Sequence, residues 1–328
     1  MGILILITGF IIMSQTETAS STSTRRRFPR LKSNAFEHPE DAKALEAVRQ
    51  VPYIDKIFKK FMELGLERIV RIQLFGQAIH VSPKQCPKIY ALFKEACDIL
   101  DMHEPDLFLA NNPYVNAFTF GVDRPFIVLH SSLVDLLEED ELMAVIGHEL
   151  GHVKSGHVLY RSIVFVLVHL ATRFFGLGGA YGLGAMAALL DWSRKSELTA
   201  DRAELLVVQD IDACIRLHMK LAGGSKSVYN QINAQEFLRQ ADSYEEIDYS
   251  MLNKVYKLLY ELKLSHPVPV YRAKELKTWS TSKQYTDLIN GKYSTQETII
   301  PNRSCPHCGT IISPEFFFCP DCGKNVRV

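Results

Sequence analysis

HELGH, at residues 148–152, lies inside a segment, 139–154, whose apolar residues recur at helical spacing. Residues four apart on a helix lie on one face, so the rings of His148 and His152 can bind one metal ion. Glu149 lies beside them around the helix, where its carboxylate is placed to deprotonate a metal-bound water. The spacing therefore predicts a catalytic zinc site with Glu149 as the general base. The alternative is a structural helix that carries two surface histidines.

A catalytic zinc site takes three protein ligands and keeps one position open, so a third ligand is required. His157 is one candidate, but it follows His152 by five residues, whereas the metzincin pattern HExxHxxGxxH places its third histidine six residues on. On a continuous helix, that spacing turns the His157 ring away from the metal. Glu197 is the better candidate, because it opens ELTAD (197–201) at the start of a second predicted helix. We therefore predict Glu197 as the third ligand.

Asp201 lies one turn after Glu197 on the same predicted helix face. Metal-binding histidines usually donate their second ring N–H to a carboxylate or a carbonyl. We therefore expect Asp201 to accept the free N–H of His148. Taken alone, this pair of acidic residues would indicate only a solvated helix face, and the HExxH motif is what favours the metal role.

The inner face of the motif helix is apolar at Leu142, Val145 and Ile146, which predicts that the helix is buried. Gly147 and Gly151 carry no side chain, so they are expected to leave room beside the metal for backbone or substrate. The predicted site thus lies inside the folded core.

Apolar periodicity, caps and breakers predict the other elements. The expected fold class is α+β and mainly helical, with a small sheet ahead of the motif helix. We predict helices over 39–64, 82–102, 139–154, 193–209, 230–241, 245–263 and 269–278, and strands over 69–74, 106–110, 115–120 and 126–130.

The composition is that of a folded protein with room for one large domain and a small one. The 328 residues include 37 Lys and Arg and 37 Asp and Glu, so no overall field favours nucleic acid or another strongly charged partner. Seven cysteines, four of them in two CxxC pairs, do not form a disulfide framework and indicate a reducing compartment. We predict a cytoplasmic protein, or one peripheral on the cytoplasmic face of a membrane.

Two segments are predicted to flank the catalytic domain, which is expected over 35–278. Residues 1–34 are a disordered leader: the apolar run 2–13 is too short for a membrane helix, Met13 is an alternative start, and the remainder is too polar to fold. Residues 279–303 are polar and rich in Ser and Thr, which indicates a linker.

Two CPxCG units follow the linker, with ten residues between the second cysteine of the first unit and the first cysteine of the second. In each unit the two cysteines can hold a metal from a tight turn, and the glycine permits the left-handed backbone that the turn needs. The pattern predicts a zinc ribbon over 304–328, a closed site that is structural rather than catalytic. Its role is to bind a partner protein or substrate, or to cap the end of the chain. The predicted ligands are Cys305, Cys308, Cys319 and Cys322.

Residues 163–190 form an apolar stretch that contains two basic side chains, His169 and Arg173. Because His152 before it and Glu197 after it must bind one metal ion, the chain has to return to the side that it left. Two membrane crossings would need about 40 residues. The stretch is therefore either a shallow hairpin in the membrane interface or a helical pair buried in protein.

Four separated motifs resemble, in the same order, those of the HtpX-like and CAAX-prenyl-protease family of gluzincin zinc metallopeptidases (metallopeptidase family 48). The resemblance covers about residues 85–277 and leaves out the cysteine tail. It implies a zincin-type catalytic domain with a small sheet that ends in an edge strand. The motifs are NAF at 116–118, HELGH at 148–152, ELTAD at 197–201, and His266-Pro267 followed by Arg272.

The resemblance also implies roles that the residues alone do not assign. Asn116, Ala117 and Phe118 would belong to the edge strand, which pairs with the substrate backbone. His266 would stabilise the oxyanion of the reaction, although a histidine before proline is more often structural. Arg272 would anchor the site.

The sequence thus predicts a zinc metalloendopeptidase that hydrolyses internal peptide bonds of proteins through a zinc-bound water, in protein quality control near a membrane. The expected cofactors are two zinc ions, one catalytic and one structural, and the expected partners are protein or peptide substrates. The alternative is a catalytically silent, zinc-stabilised binding or scaffold protein. Glu149 discriminates between the two functions, because metal binding alone does not require it.

Overall fold

In the computed structural model the chain is mainly helical and carries one small sheet, which confirms the predicted fold class. The structure describes residues 25–50, 65–122, 124–171, 180–223, 225, 227–247, 268–295 and 303–312, with the single positions 319, 322, 324 and 326. The α-helices in these ranges are α1 (Pro39–Arg49), α2 (Leu66–Gln77), α3 (Pro87–Leu100), α4 (Ser131–Leu136), α5 (Glu139–Lys154), α6 (Val158–Ala171), α7 (Ala180–Val208), α8 (Ile211–Gly223), α9 (Ala234–Glu246), α10 (Pro269–Ser280) and α11 (Lys283–Ile289).

Four strands form one mixed sheet. β1 (Ile79–His80) is antiparallel to β2 (Asp106–Ala110), and β2 is parallel to β4 (Phe126–His130). β4 is in turn antiparallel to β3 (Ala117–Phe120), which gives the order β1-β2-β4-β3. β3 is therefore an edge strand of this sheet, and it lies against α5 and α6.

β4 lies inside the sheet and is buried along its full length. Its parallel register with β2 runs from Asp106 opposite Phe126 to Ala110 opposite His130. Continuous burial of this kind is typical of a strand that is covered on both faces. The three strands predicted between residues 106 and 130 are confirmed, the middle one in a shorter form.

Helix α5 has the predicted bounds, and a capping box between Glu138 and Glu141 fixes its start. Every residue from Glu141 to His152 is buried. Helix α7 packs along α5 and contains the whole of ELTAD. It begins at Ala180, well before the predicted start at 193, because the apolar and small residues ahead of ELTAD continue the helix.

The two glycines of α5 serve helix packing and not access to the metal. A Cβ on Gly147 would lie 2.8 Å from Val207 Cβ, and a Cβ on Gly151 would lie 2.7 Å from Ala203 Cβ. Real Cβ atoms do not approach so closely, so α7 fits against α5 only because these two positions are bare. The room that we expected beside the metal is filled by α7.

Two of the apolar cores among the described residues include side chains of the sheet. The larger core joins α3, α5 and α7 on one side of the sheet, around residues such as Phe93 and Leu206. The smaller core lies between the strands and the start of α6, around Phe108 and Trp192, both of which are fully buried. The motif helix thus sits in the middle of the molecule, with its metal-binding face turned toward α7.

The strand predicted at 69–74 is wrong, because these residues lie in helix α2. Val70 and Leu74 pack against the smaller core at a spacing of four, whereas Ile69 and Ile72 are 58% and 74% exposed. The apolar residues of this segment fit a period of two as well as a helical period, and packing selected the helix.

Other predicted helices have different bounds in the structure or lie partly outside the described residues. Helix α3 begins at Pro87 and not at residue 82, because Ser82 and Gln85 pair their backbones in a turn. Most of the helix predicted at 245–263 and the second half of the one predicted at 39–64 lie outside the described residues.

The packed chain extends beyond the predicted domain bounds of 35–278. Phe28 and Leu31, placed in the leader by the sequence, are fully buried in the larger core. Helix α11 lies inside the predicted linker and buries Leu288. In both segments a few apolar anchors are set among polar residues, and average composition does not reveal them. Residues 1–24 of the predicted leader lie outside the described residues.

The apolar stretch 163–190 is covered in part. It includes the end of α6 and the beginning of α7, two helices that pack together, and residues 172–179 between them lie outside the description. Among the described helices, none combines the length and the apolar character needed to cross a membrane.

Candidate active site

Helices α5 and α7 bring the three predicted ligands together. His148 Nε2 lies 3.3 Å from Glu197 Oε2, and His152 Nε2 lies 3.3 Å from Glu197 Oε1. His148 is 5% exposed, and His152 and Glu197 are fully buried. Two ring nitrogens and a carboxylate therefore converge in a dry site, and these three residues could hold a metal ion.

The spacing of these atoms fits a zinc ion. Ligands at about 2.0–2.2 Å from a tetrahedral zinc lie about 3.3–3.6 Å from one another, which matches the two nitrogen-to-oxygen separations. The buried His152 Nε2 has no hydrogen-bond partner among the described residues, and a buried polar atom of this kind calls for a ligand. The donor set and the unpartnered nitrogen both agree with a resident cation.

Asp201 lies against His148: Asp201 Oδ1 accepts a hydrogen bond of 2.9 Å from His148 Nδ1. This bond assigns a proton to Nδ1, and Nε2 faces Glu197. Burial alone would lower the pKa of His148, but the bonds to Asp201 and Glu197 outweigh it and raise the pKa to about 10. The acidic surroundings of the ring therefore favour positive charge at this point.

Arg272 contacts two carboxylates of the site, those of Asp201 and Glu197. Its Nε donates to Asp201 Oδ2 at 2.9 Å, its Nη2 donates to Asp201 Oδ1, and its Nη1 lies 3.6 Å from Glu197 Oε2. Although burial opposes ionisation, the Asp201 charge holds the pKa of Arg272 above its ordinary value, and Arg272 in turn holds the pKa of Asp201 well below its own. The two buried charges are thus paired.

Arg161 on α6 is a site residue that the sequence did not reveal. Its Nη1 donates to Glu197 Oε1, the oxygen that faces His152. Burial and the Arg161 charge hold the pKa of His152 well below its ordinary value, so its ring is neutral and free to bind a metal. No motif marks Arg161, since its contact with Glu197 depends on how α6 turns back along α7.

The predicted base, Glu149, is held by the edge strand. Thr119 Oγ1 on β3 donates a hydrogen bond of 2.5 Å to Glu149 Oε2. Both side chains are buried, at 5% and 2% exposed. The sequence placed Thr119 in a strand but gave no reason to connect it with the motif helix, which lies far away along the chain.

The predicted substrate-binding residues lie at the start of this strand. Asn116 directly precedes β3, and its carbonyl accepts a hydrogen bond from the backbone N–H of His130. Ala117 is buried, and Phe118 is half-buried with its ring edge-on to the His130 ring at 6.0 Å. The NAF segment is therefore located on an edge strand next to the base. His266, the predicted oxyanion residue, lies outside the described residues.

The sequence predicts that the His157 ring points away from the metal-binding residues, but in the structure the ring contacts His152. Helix α5 ends at Lys154, and Gly156 turns the chain with φ of +70° before α6 begins. Because the helix ends before His157, helical geometry does not determine the direction of the His157 ring. Its Nδ1 lies 3.1 Å from Nδ1 of His152, on the side of that ring opposite to the metal-facing nitrogen.

A second buried pair, Glu204 and His218, lies behind Asp201. Glu204 Oε1 is 3.5 Å from His218 Nε2, and none of the four polar atoms of the pair has a hydrogen-bond partner among the described residues. Burial and the Asp201 charge raise the pKa of Glu204 to about 8. Burial and the charge of Arg272 lower the pKa of His218 to about 3. Both side chains are thus neutral near pH 7.

The four cysteines of the predicted ribbon also come together, around the hairpin of β5 (Arg303–Ser304) and β6 (Ile311–Ile312). Cys305 Sγ lies 3.7 Å from Cys322 Sγ, and Cys308 Sγ lies 3.4 Å from Cys319 Sγ. Thiolates at about 2.3 Å from a tetrahedral zinc lie about 3.8 Å apart, so this cluster also fits a metal ion. Hydrogen bonds between Cys308 and Thr310 lower the pKa of Cys308 to about 6 and favour its thiolate form.

Comparisons with known proteins identify relatives of this chain. The sequence pattern of "Peptidase family M48" matches residues 83–280. The plastoglobule-localized metallopeptidase 48, chloroplastic, of Arabidopsis thaliana is 36% identical over 264 residues, which are 80% of this chain and 77% of that protein. A protease HtpX homolog of Moorella thermoacetica is 26% identical over 195 residues, 51% of this chain and 64% of the homolog. The crystal structure of S. mikatae Ste24p overlaps 72% of this chain and 60% of that chain, with a TM-score of 0.38 and 17% identity.

Proposed function

This chain belongs to peptidase family M48 and is a metalloprotease, and from that premise we propose that it is a zinc endopeptidase that hydrolyses internal peptide bonds of proteins. The observation that carries the proposal is the convergence of His148, His152 and Glu197 beside Glu149. Three buried ligands leave one position of a tetrahedral metal open, which is the arrangement of catalytic rather than structural zinc.

The catalytic zinc is assigned to His148, His152 and Glu197. When bound, it would supply a Lewis acid that polarises the scissile carbonyl and makes water acidic enough to react near neutral pH. Glu149 accepts the proton of the attacking water and then returns it to the leaving amine. The hydrogen bond from Thr119 occupies Glu149 Oε2 and so directs the other carboxylate oxygen to this work.

The edge strand supports a substrate that binds in extended form. An unpaired strand edge can bind the backbone of another chain through backbone hydrogen bonds. This pairing does not depend on the side chains of the bound chain or on how far its termini lie from the paired segment. β3 is the terminal strand on this side of the sheet and lies directly beside Glu149. We assign Asn116, Ala117 and Phe118 to this pairing, and it favours cleavage inside a chain over removal of terminal residues.

Two further residues complete the proposed reaction. His266 is assigned to the oxyanion on the basis of the family resemblance alone, by donating a hydrogen bond to the charge that develops on the carbonyl oxygen. Arg272 keeps Asp201 charged and in place, so it acts on the reaction through His148 rather than on the substrate.

A second zinc ion is assigned to Cys305, Cys308, Cys319 and Cys322. Four sulfur ligands leave no open position, so this ion would stabilise the tail and take no part in hydrolysis. We extend the proposal to a contact of residues 163–190 with a membrane surface, on its cytoplasmic side, and to a role in protein quality control there. Vesicle flotation tests the contact, and protein found only in the unbound fraction contradicts it.

The function is tested by digesting an unfolded protein substrate with the purified, zinc-loaded chain and identifying the products by mass spectrometry. The proposal expects new internal termini, their loss on treatment with a chelator, and their return with zinc. Glu149→Gln serves as the matched control for contaminating proteases. Release of terminal residues only, or products that also form with the control variant, contradicts the proposal.

A further inference from the structure

The second metal ligand is the first member of a buried chain of three ionisable residues. His152 Nδ1 lies 3.1 Å from His157 Nδ1, and His157 Nε2 lies 3.0 Å from Asp41 Oδ2. All three side chains are almost fully buried, at 0%, 1% and 0% exposed. The 3.0 Å separation is within hydrogen-bonding distance, although the N–H of His157 Nε2 is not aligned with the carboxylate oxygen in this structure.

Only one placement of protons satisfies the hydrogen bonds between His152, His157 and Asp41 once His152 binds a metal through Nε2. His152 must then carry its proton on Nδ1, which makes Nδ1 a donor. His157 Nδ1 has to accept that bond, so the proton of His157 is on Nε2. That N–H in turn faces Asp41, whose carboxylate can only accept. Each member therefore fixes the tautomer of the next.

Asp41 is itself held in place by helix α7. Trp192 Nε1 donates to Asp41 Oδ1 at 2.9 Å, and Thr199 Oγ1 donates to Asp41 Oδ2 at 2.5 Å. Burial alone would raise the pKa of Asp41, but His157, Thr199 and Trp192 outweigh burial and lower it. Asp41, the last of the three residues, is therefore a fixed and charged hydrogen-bond acceptor.

We propose that His157 and Asp41 are positioning residues for the metal ligand His152, so that helix α1, which carries Asp41, completes the metal site. The inference rests on the proposed assignment of zinc to His148, His152 and Glu197. Asp41 lies outside the part of the chain that matches the family, residues 83–280. A segment from outside the matched domain thus sets the orientation of a metal ligand.

The two histidine ligands are held in different ways. His148 donates directly to a carboxylate on α7, whereas His152 reaches its carboxylate through a second imidazole. Partners of this kind fix the ring orientation and raise the basicity of the ligand, and their loss typically weakens metal binding by about 10–100-fold. The same range is expected for the loss of the His157 acceptor.

The test compares two substitutions of one residue. His157→Gln preserves both functions, because its carbonyl oxygen can accept from His152 and its amide can donate to Asp41. His157→Phe preserves the ring and its packing on Trp192, whose centroid lies 5.5 Å away, but it can neither accept nor donate. Leu159→Ala, a truncation of a buried residue on the same stretch of α6, is the control for packing loss alone.

Zinc affinity is measured by competition with a chelator, and thermal unfolding of each metal-free protein is measured beside it. The proposal expects His157→Phe to bind zinc about 10–100-fold more weakly. His157→Gln and Leu159→Ala should remain within about threefold of the wild type. With Co²⁺ as the probe, the d–d absorption bands should shift in His157→Phe and stay in place in His157→Gln.

Asp41→Asn gives an independent reading, because Asp41 touches neither the metal nor His152. It should weaken zinc binding by less than His157→Phe and shift the Co²⁺ bands in the same direction. Wild-type zinc affinity and Co²⁺ spectra in both His157→Phe and Asp41→Asn would overturn the inference while leaving the proposed function intact. A wild-type chain that binds no zinc at His148, His152 and Glu197 would overturn both.

Discussion

Thr119 on the edge strand donates its hydroxyl hydrogen to Glu149 on the motif helix, so the strand proposed to pair with a substrate also holds the proposed catalytic base. A carboxylate without this bond is free to rotate about its side-chain torsions. Fixing it in one orientation spares that cost during the reaction. In the proposed mechanism, Thr119 therefore connects substrate binding with proton transfer.

Replacing Thr119 by Val should lower kcat about tenfold and leave KM nearly unchanged, since a hydrogen bond to a charged group contributes about 1.5–3 kcal/mol and only part of it acts on the transition state. Thr119→Ser keeps the hydroxyl and serves as the control. Steady-state kinetics on a peptide substrate gives both constants. A rise in KM with an unaltered kcat would assign Thr119 to substrate binding instead.

The sequence predicted those parts of the site that depend on spacing within one element. The bounds of α5, the pairing of His148 with His152, and the position of Asp201 one turn after Glu197 all follow from the helical period. Contacts between distant elements have no such signal, so the bond from Thr119 to Glu149 was not predicted.

His157 shows the limit most clearly. On a continuous helix the His157 ring would point away from the metal, but α5 ends at Lys154 and Gly156 turns the chain before His157. Asp41, its partner, lies more than a hundred residues before it in a segment with no recognisable motif. The alternation of Val70, Ile72 and Leu74 misled for a related reason, because Val70 and Leu74 satisfy both a period of two and a helical spacing of four, and only packing distinguishes the two.

The metal ligands should rank by what their loss removes. Glu197→Ala deletes an oxygen ligand and a charge that offsets the dication, so zinc should be stripped readily by a chelator. Asp201→Ala removes only the partner of His148 and should weaken binding by about 10–100-fold. Chelator competition measures both affinities. Weaker binding in Asp201→Ala than in Glu197→Ala would refute Glu197 as a ligand.

Two separable zinc sites should be present, because the two ligand sets share no residue. Elemental analysis is expected to find two zinc ions per chain in the wild type and one after Cys305→Ser combined with Cys322→Ser. Proteolysis of a small peptide should persist in that variant, since the cysteine cluster contains no catalytic group. Two zinc ions in the double variant would disprove the ribbon.

Glu204 should make stability depend on pH. Its folded pKa of about 8 lies above the ordinary value of 4.5, so the folded chain keeps a proton that the unfolded chain releases. That contribution is complete below the ordinary pKa and is lost as the pH rises through the folded one. Glu204→Gln cannot ionise, so its melting temperature relative to the wild type should rise by at least about 2 °C between pH values near 5 and near 8.5. Parallel melting curves for the two proteins, recorded in chelator, would show that Glu204 does not titrate in this range.

The most direct test of the central claim is the zinc content and the proteolytic rate of Glu149→Gln, measured on one preparation beside the wild type. The amide keeps the shape of the side chain and leaves His148, His152 and Glu197 untouched, so the catalytic zinc should remain at full occupancy. It cannot accept the proton of water, so the rate should fall by about 10²–10⁴-fold. A variant that retains its zinc and cleaves within about tenfold of the wild-type rate would contradict the assignment of Glu149 as the base.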